Sequence, residues 1–249
     1  MSKPIAGRNE VLLIPGFLGD DAFFEPLLQA LRERGLKPRV WNGVRENPHG
    51  MLLEWARALP DCPVMVGYSL GGRVLLHRLL DDSVPSLDLA VVISAHPGLP
   101  EDATQERSAR EASDEEWAVR LEADGFEGGQ FLEDWNSQAV FQSGQVFAPS
   151  DEQIRSVQDY RKDWAWVLRN GSLAQQADLR DDLKRHVYTR DLLWFCGEAD
   201  RKFSQIYTEL EASRIPGQWW RVSNAGHRVP LEQPAVLAEK IHQRLSTRF

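Results

Sequence analysis

An α/β architecture with a mostly parallel sheet and helices on both faces is what this sequence predicts. Three observations carry that expectation. Short, near-continuous apolar runs alternate with patterns of helical spacing. Such runs suit strands buried on both faces, as in parallel sheets, better than half-exposed antiparallel strands. The alternation is broken once, by a stretch rich first in acids and then in aromatics, and it then resumes to the end of the chain.

The elements follow in order. Residues 11–14 (VLLI) read as a buried strand closed by Pro15-Gly16. Residues 22–34 have helical spacing, with Phe23, Leu27, Leu28 and Leu31 apolar, and Gly35 stops the helix. Residues 37–41 form a short strand, 50–59 a helix ended by Pro60, and 63–66 a third strand. A helix over 71–80 places Val74, Leu75, Leu79 and Leu80 on related faces, and 87–94 (LDLAVVIS) is a further strand. The composition then shifts. Residues 100–124 carry many acids and predict a solvated helix or helix pair, and aromatics such as Phe126, Phe131, Trp135, Phe141 and Trp164 follow without a strand pattern. Strands at 191–196 and 218–222 and helices at 203–212 and 234–245 complete the alternation. The expected organisation is a core of 1–97 and 187–249, with a helical cap of 98–186 inserted after a central strand.

Composition narrows the function. The 249 residues carry 29 Lys+Arg against 37 Asp+Glu, a net charge of -8, with 42% hydrophobic residues. These values exclude disorder, collagen and a disulfide scaffold. The acidic balance argues against nucleic acid, yet a few local arginines can still draw an anionic small molecule. Cys62 and Cys196, the two cysteines, lie in or beside apolar runs and read as reduced, buried thiols, neither a disulfide nor a metal site. The apolar start is too short for a signal peptide, and no run approaches a membrane span of about 18 residues. A soluble, cytoplasmic protein is expected.

The sharpest motif is Gly67-Tyr68-Ser69-Leu70-Gly71, a G-x-S-x-G between a strand and a helix. The bare pattern is weak, but this setting is that of a nucleophile elbow, which exposes a serine on a cramped turn above the sheet. A serine hydroxyl needs a base that works near neutral pH. Of six histidines, His227 in Asn224-Ala225-Gly226-His227 follows a late strand, and His96, just past the strand at 87–94, could line the pocket. A carboxylate must hold the imidazole. Asp200, past the strand at 191–196, lies at the same sheet edge, with Glu198 as its rival. The order Ser…Asp…His is that of the α/β-hydrolase fold. The oxyanion hole is expected from backbone N–H groups of Leu70 and Phe17, the latter in the loop Pro15-Gly16-Phe17-Leu18-Gly19.

Taken together, Gly16-Phe17-Leu18-Gly19-Asp20, Gly67-Tyr68-Ser69-Leu70-Gly71-Gly72-Arg73, His96-Pro97-Gly98-Leu99, Gly197-Glu198-Ala199-Asp200-Arg201-Lys202-Phe203 and Ala225-Gly226-His227 resemble one α/β-hydrolase subfamily. It is 2-succinyl-6-hydroxy-2,4-cyclohexadiene-1-carboxylate synthase of menaquinone biosynthesis. Asp134-Trp135-Asn136-Ser137-Gln138-Ala139-Val140-Phe141 resembles its cap, so the likeness runs through nearly the whole chain.

The resemblance implies a lyase that eliminates pyruvate from 2-succinyl-5-enolpyruvyl-6-hydroxy-3-cyclohexene-1-carboxylate. In it Ser69, served by His227 and Asp200, removes a ring proton, and no metal or organic cofactor takes part. The alternative is a carboxylesterase or C–C bond hydrolase acting on a small acidic substrate. For a substrate with several carboxylates the resemblance points to Arg73, Arg110, Arg161 and Lys202, and to the pocket aromatics Trp135 and Phe141. Read from the residues alone, Arg73, though in the first turn after the nucleophile, is better taken as a surface helix arginine, and Arg110 is equally a partner of Glu106 or Asp114. Trp135 and Phe141 fit a plain cap core, and Lys202 a surface loop. The chain departs from the family pattern at Pro15-Gly16, in residues 41–50, and at Asn136, where the family carries Tyr.

Overall fold

A computed structural model describes residues 9–19, 21–185 and 191–247. Asp20 of the first motif, His186 and the expected cap–core boundary at 186/187 lie outside the described residues.

Six strands form one sheet in the order β2-β1-β3-β4-β5-β6, every neighbouring pair parallel. They are β1 Glu10–Ile14, β2 Lys37–Val40, β3 Val64–Tyr68, β4 Leu89–Ile93, β5 Leu192–Gly197 and β6 Gln218–Val222. All residues of β3, β4 and β5 are buried, which explains why their sequences are apolar throughout and show no alternation.

Alternate side chains of β1, β3, β4 and β5 feed two cores. Leu12, Ile14, Met65, Val92 and Trp194 face one layer, built with α3 (Leu52–Ala58), α4 (Leu70–Leu79) and α9 (Arg201–Ala212). Val11, Leu13, Val66, Val91 and Phe195 face the other, built with α1 (Asp21–Arg32) and α11 (Pro234–Ser246). Two one-turn helices, α2 (Gly43–Glu46) and α10 (Val229–Glu232), sit in loops after β2 and β6. They are too short for a periodicity to reveal them.

Between β4 and β5 the chain is helical. The acidic stretch forms a single helix, α5 (Thr104–Glu122), where one helix or two were expected. After it come α6 (Gly128–Asn136), a 3-10 turn Ala139–Phe141, α7 (Asp151–Asn170) and α8 (Arg180–Arg185). Ser150 starts α7 with a reciprocal cap: its Oγ accepts from Gln153 N–H (3.2 Å) and Gln153 Oε1 accepts from Ser150 N–H (3.0 Å). α5 packs along α7, with Arg169 of α7 reaching Glu115 and Glu122 of α5.

The strand order reverses direction at β1. From it the chain moves outward to β2, then crosses back to β3 on the other side. The helices that follow β1 and β3, α1 and α4, therefore pack on opposite faces, and the carboxyl ends of the strands between them are the usual ligand site of an open α/β sheet. The loops after β1 and β3 carry Gly16–Gly19 and Ser69.

Candidate active site

The turn after β3 is tight enough to dictate its own glycines. Ser69 has φ 51° and ψ −112°, in the left-handed half of backbone space that L-residues seldom enter. A Cβ at Gly71 would stand 2.1 Å from Ile14 O, and one at Gly67 2.5 Å from Gly71 O. The elbow is thus pressed against the end of β1 with no room for side chains. Ser69 N–H donates to Ile93 O (2.9 Å), which ties the turn to β4. Ser69 stands immediately before the first residue of α4, where the helix end favours developing negative charge.

His227 and Asp200 meet at the same edge. His227 Nδ1 and Asp200 Oδ2 are 2.8 Å apart, and both residues are buried. Asp200 also caps α9, its Oδ1 accepting from Phe203 N–H (3.2 Å). One carboxylate oxygen is therefore fixed by the backbone while the other faces the imidazole. Glu198, the rival acid, is exposed at the rim. The loop around His227 is clamped by Glu232, which accepts from Gly226 N–H (2.7 Å) and Arg228 N–H (3.1 Å). The His227 ring lies among Tyr68, Phe141 and Phe203, with centroids 4.9–5.5 Å away.

Ser69 and His227 line one cavity of about 1020 Å³. Ser69 Oγ makes no hydrogen bond among the described residues, so the serine–imidazole contact is open here. Catalytic contacts are commonly long in unliganded sites and tighten on substrate. Phe17 and Leu70 border the same cavity, and their backbone N–H groups have no protein acceptor among the described residues. Gly16 brings the Phe17 loop close, since a Cβ there would lie 3.2 Å from Ser69 Cβ.

The roof comes from the helical insertion. Trp135 packs on Phe17 (4.8 Å between centroids), and Phe141 bridges Trp135 and His227. Four cations border the space: Arg73, Arg110, Arg201 and Lys202. Arg73 is buried. Burial, with Arg110 nearby, pulls its pKa down to about 9, so its charge is poorly solvated and gains from an anionic partner. Burial also lowers the Lys202 pKa, helped by Arg110. Arg110 borders the cavity and is held by Asp114 (Nε to Oδ2, 2.7 Å), one of the two partners that its helical setting suggests.

Arg161 departs from expectation. It does not border the cavity; its Nη1 donates to Leu121 O (2.7 Å) and Ala123 O (3.2 Å), the carbonyls that end α5. Its guanidinium also lies over Phe126, 5.6 Å from the ring centroid. The spare carbonyls of a helix end attract a cation as a carboxylate would, and here they hold Arg161 in a joint between α5 and α7.

Several cavity residues escaped the sequence reading. Trp117, Gln138 and Gln142 line the roof; they lie on or after the helices between β4 and β5, where spacing cannot separate a pocket wall from a core. Ser94 Oγ is buried without a partner at a residue with φ 46°. A lone hydroxyl ending an apolar strand was the available signal. His96 does border the cavity. Burial and the Arg180 and Lys202 charges push its pKa down to about 3, and its Nδ1 accepts from Gly98 N–H (3.1 Å).

Residues 11–240 match the alpha/beta hydrolase family. The 2-succinyl-6-hydroxy-2,4-cyclohexadiene-1-carboxylate synthase of Enterobacter sp. (strain 638) is 35% identical over 185 residues, covering 74% of this chain and 67% of its own length. The enzyme of the same name from Citrobacter koseri is 35% identical over 183 residues, covering 73% of this chain and 67% of its own. Among solved structures, MenH from S. aureus superimposes with a TM-score of 0.74 at 25% identity, covering 96% of this chain and 94% of that one. The carboxylesterase CesB of Bacillus subtilis shares the fold, with a TM-score of 0.61 at 20% identity over 98% of this chain and 85% of its own.

Proposed function

The chain belongs to the 2-succinyl-6-hydroxy-2,4-cyclohexadiene-1-carboxylate synthase family of alpha/beta hydrolases, and from that premise we propose that it eliminates pyruvate from 2-succinyl-5-enolpyruvyl-6-hydroxy-3-cyclohexene-1-carboxylate. The observation that carries the reading beyond family membership is the cavity itself. It joins Ser69 and the Asp200–His227 pair to a wall of Arg73, Arg110 and Lys202.

The chemistry follows from the bonds that change. Going from a 3-cyclohexene to a 2,4-cyclohexadiene, the ring loses the proton at the carbon bearing the succinyl group, the double bond shifts, and the C–O bond at the fifth carbon breaks. The leaving group is the enolate of pyruvate, which takes up a proton to become pyruvate. The removed proton lies next to the succinyl carbonyl, so negative charge develops on that oxygen. In our reading Ser69, relieved of its proton by His227, takes the ring proton, and Asp200 steadies the resulting imidazolium. The Phe17 and Leu70 N–H groups receive the developing oxyanion.

Substrate carboxylates are held by Arg73, Arg110 and Lys202, with guanidinium forks suited to planar carboxylates. Trp135 and Phe141 cover the ring and exclude water. Residues 98–186 act as a cap on a core of 1–97 and 187–249. No step of this scheme calls for a metal or an organic cofactor, and no helix among the described residues is long and apolar enough to cross a membrane.

The test supplies the enolpyruvyl cyclohexene and couples pyruvate release to lactate dehydrogenase. Steady release without a burst is expected, and Ser69 should carry no covalent adduct by mass spectrometry. An acyl-serine, or turnover of simple carboxylic esters in place of the cyclohexene, would replace this reading with the hydrolase one.

A further inference from the structure

Two guanidiniums in the cavity wall are held in the same manner. Arg110 engages Asp114 through Nε alone, and Arg73 engages Gln176 Oε1 through Nε alone (2.5 Å). Neither Nη of either arginine hydrogen-bonds to the protein among the described residues, and Arg73 Nη2 is buried without a partner. Both holders lead to one loop, between α7 and α8. Ser172 Oγ donates to Asp114 Oδ2 (2.6 Å), and Gln176 Nε2 donates to His96 O (3.3 Å). Arg107 pins the loop from α5, its Nη1 donating to Ala174 O (2.7 Å) and Gln176 O (3.1 Å).

The Gln176 amide has only one workable orientation. Arg73 offers donors and no acceptor, so the amide oxygen must face it, and the amide nitrogen must face the His96 carbonyl. Gln176 is 2% exposed, so water does not compete for either contact. The holder of Arg73 is also neutral. A carboxylate at this position would close an ion pair; an amide fixes the direction of the guanidinium and leaves it without a carboxylate in contact, Asp114 acting on its charge from beyond hydrogen-bond reach. A buried charge with no counter-charge in contact is costly until an anion joins it.

We propose that Gln176 is a positioning residue that aims the free Nη edge of Arg73 at a carboxylate of the bound substrate. Gln176 acts through Arg73 and not on the reacting atoms. The anionic ligand is that of the proposed function, and the proposal rests on that reading for its identity. What the geometry itself supplies is a carboxylate seat whose affinity depends on a neutral side chain behind the cation.

The test is a double-mutant cycle read in two ways, as KM and kcat for the cyclohexene substrate and as calorimetric binding of succinate, a plain dicarboxylate. Gln176→Leu should raise KM about tenfold, the scale of one lost hydrogen bond to a charged group, with kcat unchanged. Gln176→Glu, nearly isosteric, should raise it further by pairing with Arg73. Succinate affinity should fall in parallel, and both substitutions should lose their effect in an Arg73→Ala background. Effects that persist in that background would overturn the proposal. So would a wild-type KM and succinate affinity in both variants, or a lowered Tm as their sole consequence. If the wild-type protein does not release pyruvate from the cyclohexene, the proposed function fails while the succinate cycle still decides on Gln176. Absence of succinate binding at millimolar concentration, with no KM shift, also overturns the proposal.

Discussion

The rim of the sheet and the helical segment above it reach the same cavity by different physics. At the rim, strand ends place Ser69, Asp200 and His227, and close backbone packing allows little choice: Gly71 abuts Ile14 O, and Asp200 is locked by the N-terminus of α9. In the roof, side chains hold side chains. Arg110 is set by Asp114, Arg73 of α4 by Gln176 of the α7–α8 loop, and Trp135 by Phe17. A backbone-set group can be located from its place after a strand. A side-chain-set group depends on partners far away in the chain, 103 residues in the case of Arg73 and Gln176.

If this contrast is right, rim substitutions collapse kcat while roof substitutions act on KM. The largest effect should come from Ser69→Ala and His227→Ala, each lowering kcat by about a thousandfold or more with an unchanged circular dichroism spectrum. Near-wild-type turnover in either would break the comparison at its strongest point. Asp200→Asn comes next. Asn caps helices as well as Asp does, so α9 should survive. The amide, however, offers a donor to His227 Nδ1 and favours the wrong tautomer, and kcat should fall by about two to four orders of magnitude. A comparable loss of Tm would mean that the carboxylate serves the fold more than the imidazole.

Arg73→Ala should cost about 1.5–3 kcal/mol in kcat/KM, expressed mainly in KM, as for a lost hydrogen bond to a charged group. An unchanged ratio would remove Arg73 from the carboxylate seat. Arg161→Ala sharpens the contrast from the other side. It should leave kcat/KM unaltered and lower stability by about 1 kcal/mol, read as a fall in Tm, because it unties the end of α5. A raised KM would return Arg161 to the substrate.

Acid should weaken the fold through two imidazoles, His96 buried and His77 half-buried. Burial, reinforced by Arg73, holds the His77 pKa at about 4, and burial with the Arg180 charge holds that of His96 at about 3. Both lie below the unfolded value of about 6.5. Between those limits the unfolded chain binds protons that the folded one refuses, so stability rises with pH across this window and falls as pH drops from 6.5 toward 4. Thermal melts of wild type and His77→Leu across that range check it; equal slopes would acquit His77.

What the sequence disclosed divides along the same line. The strands at β1, β3, β4 and β5 were legible because burial on both faces demands unbroken apolar runs, and Gly67–Gly71 was legible because the elbow admits no Cβ. The α5 helix was seen, but not whether it was one helix or two, since an acidic solvated surface has weak periodicity. Arg161 shows the limit most clearly. A cation that serves a helix end and one that serves a ligand have the same letter and the same helical setting, and only the distant carbonyls of Leu121 and Ala123 distinguish them. Gln176 had no signal at all, lying in a short polar loop whose register is set by Arg107.

The helical segment leaves the sheet at β4 and returns at β5, and these strands are immediate neighbours. Parallel neighbours need an excursion over the sheet in any case. Lengthening, trimming or exchanging that excursion leaves every hydrogen-bonded rung below it intact. A lineage carrying this scaffold is free to exchange the roof of its cavity wholesale while inheriting the residues at the strand ends.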